Sequence, residues 1–266
     1  MIVEFLSSYD IFSWQIIALL IFSGFLVGII NTIAGSGTII SYSFFILLGL
    51  PPGISNGTTR LGVILQTLAA SLNFKKQNVL DIKKGIILGI PTVIGSIVGA
   101  QIAISLNKNI FELIVGFVMI LMLFFIFYNP DQWIKGRLDK VKRKPTYIQL
   151  LIFFVIGVYG GFIHIGVGIF LLAALVLNAG YDLVKANALK VFIVLLYSPF
   201  ALAIFMYNNQ VEYGMGLISA IGNVFGGYIA SQFAVTWGAN IIRWMLVIII
   251  VLYTSHLFGL FELLFS

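Results

Sequence analysis

Four ionisable side chains fall within or at the ends of apolar stretches: Arg60, Glu112, His164 and Lys190. In a bilayer core such a group is costly and by default marks a solute or ion path. Arg60 closes the run Ser55-Asn56-Gly57-Thr58-Thr59-Arg60, where Ser55 or Asn56 is a fit N-cap for the apolar residues that follow. A helix start there would gather unpaired N–H groups, the positive end of the helix dipole, the Thr58 and Thr59 hydroxyls and the guanidinium in one place. That is an anion site in outline. Lys190 stands three residues after Asn187 at the corresponding place in the second half. Two cations on matching helix starts would converge near the midplane and neutralise an oxyanion. The alternative is that each reaches back to its own interface.

Two glycine breaks interrupt the apolar runs, Gly35-Ser36-Gly37 and Gly166-Val167-Gly168. They free backbone amides, and Ser36 and Thr38 add hydroxyls, a set that suits a small, multiply hydrogen-bonded anion. A kink without ligand contact is the alternative. Asn31 and His164 stand just before the two breaks. A histidine titrates in the physiological range and could carry a coupling proton. The plainer reading, a hydrogen-bonded interior histidine, is favoured. Glu112 and His256 read as interfacial. There is no HExxH, no pair of intramembrane carboxylates, no phosphate-binding GxxxxGK[ST] and no cysteine, so the sequence predicts neither enzyme nor cofactor nor metal. Ser36 and His164 could be proposed as a protease pair, but a break that recurs is better explained by backbone geometry.

The elements that must position these groups follow from composition. Charged residues make up 9% of the chain and apolar ones 61%, against about 25% charged in a soluble domain. The 266 residues hold roughly eight to ten spans of about 20 residues. The spacing predicts an all-α polytopic transmembrane bundle with segments near 13–34, 38–50, 58–74, 85–106, 110–128, 148–165, 169–177, 183–207, 214–235 and 241–264. Those at 38–50 and 169–177 are too short for a core of about 30 Å, so they are half-helices or re-entrant. Residues 129–147 carry six Lys/Arg against Asp131 and Asp139. A short loop that basic is read as cytoplasmic, with lipid or regulatory binding as the alternative. It divides a first repeat, 1–128, from a second, 148–266. The basic loops give no support for nucleic acid as a partner.

Residue n pairs with n + 131 over Gly37/Gly168, Gly49/Gly180, Asn56/Asn187, Gly85/Gly216, Gly95/Gly226, Gln101/Gln232 and Ala103/Ala234, and Thr59 pairs with Lys190. Upstream of the breaks the offset is 133, pairing Gly24/Gly157, Gly28/Gly161 and Asn31/His164. Placing both basic loops inside gives each half an odd number of crossings and puts the N-terminus outside. The repeats are then inverted, provided each broken pair counts as a unit. If one member crosses and the other does not, they are parallel. Small-xxx-small pairs such as Gly24/Gly28 and Gly95/Gly99 are read as close helix packing.

The chain resembles the sulfite exporter TauE/SafE family, also described as toluene sulfonate uptake permeases. The resemblance is carried by GFLVGIINTIAGSGTIIS with GLPPGISNGTTR, by GVYGGFIHIGVGIFLLAALVLNAGYDLVKANALK and by NNQVEYGMGLISAIGNVFGGYIASQFA. It covers nearly the whole chain and implies a multi-pass protein of the bacterial inner membrane that moves small sulfur-containing or organic anions without an ATPase subunit. By position it implies site roles for Asn31–Thr38, Thr32 included, for Gly57–Arg60, for Gly160–Gly168 and for Ala186–Lys190. The chain departs from the family pattern at SGT, which no proline follows, and at His164, commonly glycine, so the family lends a proton role there no support.

The expectation is a secondary transporter for a small anion, sulfite, thiosulfate or an organosulfonate, working by alternating access. Arg60 and Lys190 would supply charge, Asn56, Thr58, Thr59 and Asn187 polar contacts, and the breaks backbone donors. A passive anion channel and a non-transporting scaffold are the alternatives. A coupling proton and a homo-oligomer are left open.

Overall fold

A computed structural model describes residues 13–105, 141 and 145–257, with 236–257 as backbone only. Segment 110–128, most of the linker 129–147, Glu112, and the side chains of Trp237, Arg243, Trp244 and His256 lie outside the described residues. Helix α1 spans Trp14–Ile33, α2 Thr38–Leu47, α3 Pro52–Lys76 and α4 Ile82–Ser105. In the second half α5 spans Tyr147–Phe162 and α6 Val167–Ala173, which runs into a π-helical turn, Ala174–Asn178. Then come α7, Leu183–Tyr207, and α8, Tyr213–Leu257. All the regular structure among the described residues is helical. Among the described residues four stretches are long and apolar enough to cross a membrane: Trp14–Ile33, Ile82–Ser105, Leu183–Tyr207 and Tyr213–Val235. Phe22, Leu72, Ile90 and Phe225 stand more than half exposed, as lipid-facing side chains of a multi-pass membrane protein do.

The element bounds recur at the offset seen in the sequence. Moved by 131, α3 (52–76) falls on α7 (183–207), and the start of α4 (82) falls on that of α8 (213). The left-handed residues Gly35, Gly49 and Asn78 likewise fall on Gly166, Gly180 and Asn209.

Each broken pair doubles back on itself. Phe45, near the end of α2, clusters with Ile16 and Leu20 at the start of α1. In the second half the Gln149 amide at the start of α5 donates to Asn178 Oδ1 (2.8 Å) beyond the end of α6. The two hairpins meet tip to tip, the Gly168 amide donating to the Gly35 carbonyl at 3.2 Å. A Cβ on either glycine would run into the backbone of the other.

The helices of the two halves interleave. Helix α1 packs on α8, and α5 packs on α4. In both contacts glycines lie against backbone carbonyls, Gly24 and Gly28 on Ser219 and Asn223, Gly157 and Gly161 on Thr92 and Ser96. Both contacts are parallel, since the residue numbers rise together. Helix α3 also runs parallel to α8, with Gly62 against Asn223 and Gly227 against Gln66. Helix α7 runs parallel to α4, with Gly85 against Phe192 and Gly89 against Leu196. Helices α3 and α7 are antiparallel: Arg60 lies against Phe205, while Gln66 and Thr67 share a cavity with Lys190 and Val194. So α1, α3 and α8 point one way, and α4, α5 and α7 the other.

Two expectations are corrected. The run 51–57, read as a loop before a helix start near Thr58, is helical from Pro52. Proline is tolerated in the first turn, where its missing N–H has no intrahelical partner. Gly57 is there because the Gln210 carbonyl occupies the space of a Cβ. Ser55 and Asn56 therefore do not cap this helix, and Thr58, Thr59 and Arg60 lie in its second turn or beyond. Segments 214–235 and 241–264, read as separate, run without a break as α8 up to Leu257. Between them stand a single Gly238 and no proline, too little to stop a helix.

Candidate functional site

The two buried cations sit on the ends of the broken helices. Arg60 is 0% and Lys190 1% exposed, so neither reaches back to an interface. The guanidinium of Arg60 donates from Nη1 to the Gly160 carbonyl (3.1 Å) and from Nη2 to the Gly161 carbonyl (2.7 Å), with a longer bond to Asn56 Oδ1 at 3.4 Å. Its Cζ lies 4.7 Å from the ring centre of Phe205, a cation–π arrangement. Lys190 Nζ donates to the carbonyls of Asn31 (3.1 Å) and Thr32 (2.8 Å). Gly160 and Gly161 are in the last turn of α5, and Asn31 and Thr32 in the last turn of α1. Each half thus reaches across to cap the other's broken helix. The last carbonyls of a helix lack intrahelical donors and carry the negative end of its dipole. The expectation of Arg60 beside the free amides of a helix start is thereby overturned: it serves a helix C-terminus. Neither cation has a carboxylate partner among the described residues; an ion pair found there lies elsewhere, Lys185–Asp182 at 3.3 Å.

The remaining candidates divide into two groups. At the second break Asn56 donates from Nδ2 to the Phe162 carbonyl (2.8 Å), a further cap on α5. His164 Nδ1 lies 3.0 Å from the Tyr197 hydroxyl, the interior hydrogen-bonded histidine that was favoured. Gly166 is left-handed (φ 71°) and Gly168 is the tip contact. At the first break Gly35 is left-handed (φ 79°) and Gly37 lies tight against the Val27 carbonyl and Asn31 amide. There the hydroxyls of Ser36, Thr38 and Ser41 are buried and have no partner, and on α7 neither amide atom of Asn187 has one. Thr58 and Thr59 are engaged elsewhere. Thr58 Oγ1 accepts from the Glu212 amide (2.9 Å), and Thr59 donates back to the Asn56 carbonyl (2.9 Å).

Gln66, Tyr197 and Phe205 were missed. Gln66 bridges the first break, donating from Nε2 to Thr32 Oγ1 (3.0 Å) and accepting from Asn31 Nδ2 (3.5 Å). Its only signal in the sequence is an uncharged polar residue inside an apolar run. Tyr197 and Phe205 carried no signal beyond aromatic character.

Between the tips lies a cavity of about 10 Å³, lined by Asn31, Gln66, His164, Gly168 and Lys190 among others. That is about the room one water centre needs, too little for a three-oxygen anion. Of the two cations only Lys190 lines it.

The family model described as Sulfite exporter TauE/SafE matches residues 20–257. The chain belongs to the sulfite exporter TauE/SafE family. Both breaks and both cations lie inside that match. Among curated relatives, a probable membrane transporter protein, ORF9, of a Sinorhizobium species is 26% identical over 89% of this chain and 90% of its own length. A probable membrane transporter protein of Haemophilus influenzae is 25% identical over 91% and 94%. The probable membrane transporter protein YfcA of Escherichia coli K12 is 23% identical over 95% and 96%. No solved structure matches the chain. TauE/SafE membership thus rests on residues 20–257, most of the chain.

Proposed function

We propose that this TauE/SafE chain is a secondary transporter of the bacterial inner membrane for a small anion, sulfite, thiosulfate or an organosulfonate. It works by alternating access between two inverted halves, 1–128 and 148–266, with the N-terminus outside and the basic linker 129–147 in the cytoplasm. The observation that carries this reading is the pair of buried cations, Arg60 and Lys190, with no carboxylate partner among the described residues. A buried charge needs compensation, and the carbonyl caps give it only in part. The missing negative charge is the solute's.

Three features support the mechanism. Matched helices point in opposite directions, α1 against α5, α3 against α7 and α4 against α8, as inverted halves require. Discontinuous helices from both halves meet at their tips, the arrangement in which carriers place solute sites. The closed cavity calls for a conformational change to admit an anion, which favours a carrier over an open channel. Relatives named as probable membrane transporter proteins agree with the class.

The test is flux of labelled sulfite, thiosulfate and methanesulfonate into proteoliposomes under an imposed proton gradient. The expected result is saturable uptake of at least one of them, abolished by Arg60→Ala with Lys190→Ala. Flux at single-channel rates would identify a passive channel. The absence of flux for every anion would leave a scaffold.

A further inference from the structure

The two breaks are alike in backbone and unlike in chemistry. Their matched residues are Ser36 and Val167, Thr38 and Ile169, Ser41 and Leu172. At the second break all three positions are hydrocarbon and buried: Val167 is 1%, Ile169 4% and Leu172 0% exposed. At the first break all three carry a buried hydroxyl, and none has a partner. The asparagines divide in the same way. Asn56 spends its amide on the Phe162 carbonyl and its oxygen on Arg60, whereas its counterpart Asn187, 0% exposed, has neither amide atom satisfied.

Buried polar groups are nearly always hydrogen-bonded, and leaving several bare in one place is costly. Thr38 and Ser41 are three residues apart on one face of α2 and lie in its first turn, at the positive end of the helix dipole. Asn187 shares a face of α7 with Lys190, three residues on, and Lys190 is bonded to the end of α1 that leads into this break. An ammonium has three donors, and Lys190 places two of them on protein carbonyls. The unspent side-chain groups on these elements are thus hydroxyls, an amide and an ammonium hydrogen. They are rich in donors, and a compact oxyanion accepts from all of them.

We propose that the anion binds at the first break, against Ser36, Thr38, Ser41, Asn187 and Lys190, and that the second break is a structural clasp. This rests on the transport reading and sharpens it. Arg60 lends the field of its charge; its Nη hydrogen bonds hold the end of α5 and Asn56, and only its Nε is without a partner. The internal symmetry of the fold is retained for motion and abandoned for binding.

The experiment measures binding of sulfite and of methanesulfonate to the purified full chain in nanodiscs by calorimetry, with thermal unfolding of the anion-free protein alongside. Asn187→Leu and Thr38→Val should each weaken binding on the order of tenfold or more, the loss of one to two hydrogen bonds to a charged acceptor. Both should leave the anion-free melting temperature unchanged or higher, because each removes a bare polar group. Ile169→Thr, which supplies a hydroxyl at the matched position of the second break, should leave affinity as it was. Wild-type affinity in Asn187→Leu and Thr38→Val overturns the assignment while leaving transport standing. So does tighter binding in Ile169→Thr. Failure of the wild-type chain to bind either anion, with no flux in proteoliposomes, overturns the transport reading and this assignment with it.

Discussion

Replacing Arg60 by alanine distinguishes a clasp from a ligand, and its size can be worked from the contacts. The guanidinium makes three hydrogen bonds, two to the last-turn carbonyls of α5 and one to Asn56. Hydrogen bonds to a charged group contribute about 1.5–3 kcal/mol each, so their gross loss is roughly 4–9 kcal/mol. Against this, Arg60→Ala relieves the burial of a charge without an anionic partner, which offsets several kcal/mol. A net destabilisation of about 3 kcal/mol remains after these opposing terms. In a chain of this size each kcal/mol lowers the melting temperature by about 2–4 °C, so Arg60→Ala should melt about 6–12 °C below wild type. Arg60→Lys keeps the charge and can serve two carbonyls, as Lys190 does, so it should recover about half of the loss. The assay is thermal unfolding by intrinsic tryptophan fluorescence in detergent, with anion affinity measured well below the transition. An unchanged melting temperature together with lost affinity would refute the clasp and make Arg60 a ligand.

Other outcomes follow from the same geometry. Gly35→Ala should destabilise the chain more than Gly49→Ala. Both are left-handed, costing an L-residue about 1–2 kcal/mol, but only at Gly35 does a Cβ meet the backbone of Gly168; equal losses in thermal unfolding would mean that the tips do not touch. In the loop before α7 the Tyr181 hydroxyl donates to Asp81 Oδ2 at 3.3 Å, and burial first, then the Asp81 charge, pushes its ionisation above the ordinary phenol range. A raised phenol stabilises the fold fully below about pH 10 and loses that contribution as pH climbs through the raised value, so Tyr181→Phe should flatten the alkaline fall in melting temperature. Asp182 caps α7 by accepting from the Lys185 amide at 3.0 Å. Asp182→Ala should cost about 1 kcal/mol, read as a small drop in melting temperature with affinity for anion unchanged.

Much of the scaffold was legible from spacing. Helix α7 falls where the apolar run 183–207 placed it, because an N-capping aspartate and a following Asn-Asn turn bound it. The two breaks were legible as glycine clusters, and their backbone turns out to need that residue, with positive φ at Gly35 and Gly166. The run Pro51–Gly57 was misread because proline and glycine have two uses. They punctuate loops, but they also open a helix and let a neighbouring backbone approach, as the Gln210 carbonyl does at Gly57. The fate of the cations was beyond the sequence. A lysine eight residues into a helix caps its own interface or a distant carbonyl according to which helix end lies across from it, and that is set by interleaving of the halves. The bare hydroxyls of Ser36 and Thr38 were legible as polar groups, but that Asn187 lacks a partner while Asn56 has two is a fact of packing.

The most direct test is a density map of the full chain in nanodiscs with selenite, the heavier analogue of sulfite. The predicted result is a strong peak at the first break, within hydrogen-bond distance of Ser36, Thr38 and Asn187 and close to Lys190, with Arg60 still on the carbonyls of Gly160 and Gly161. A peak held by Arg60 at the second break, or no peak at saturating selenite, would contradict it.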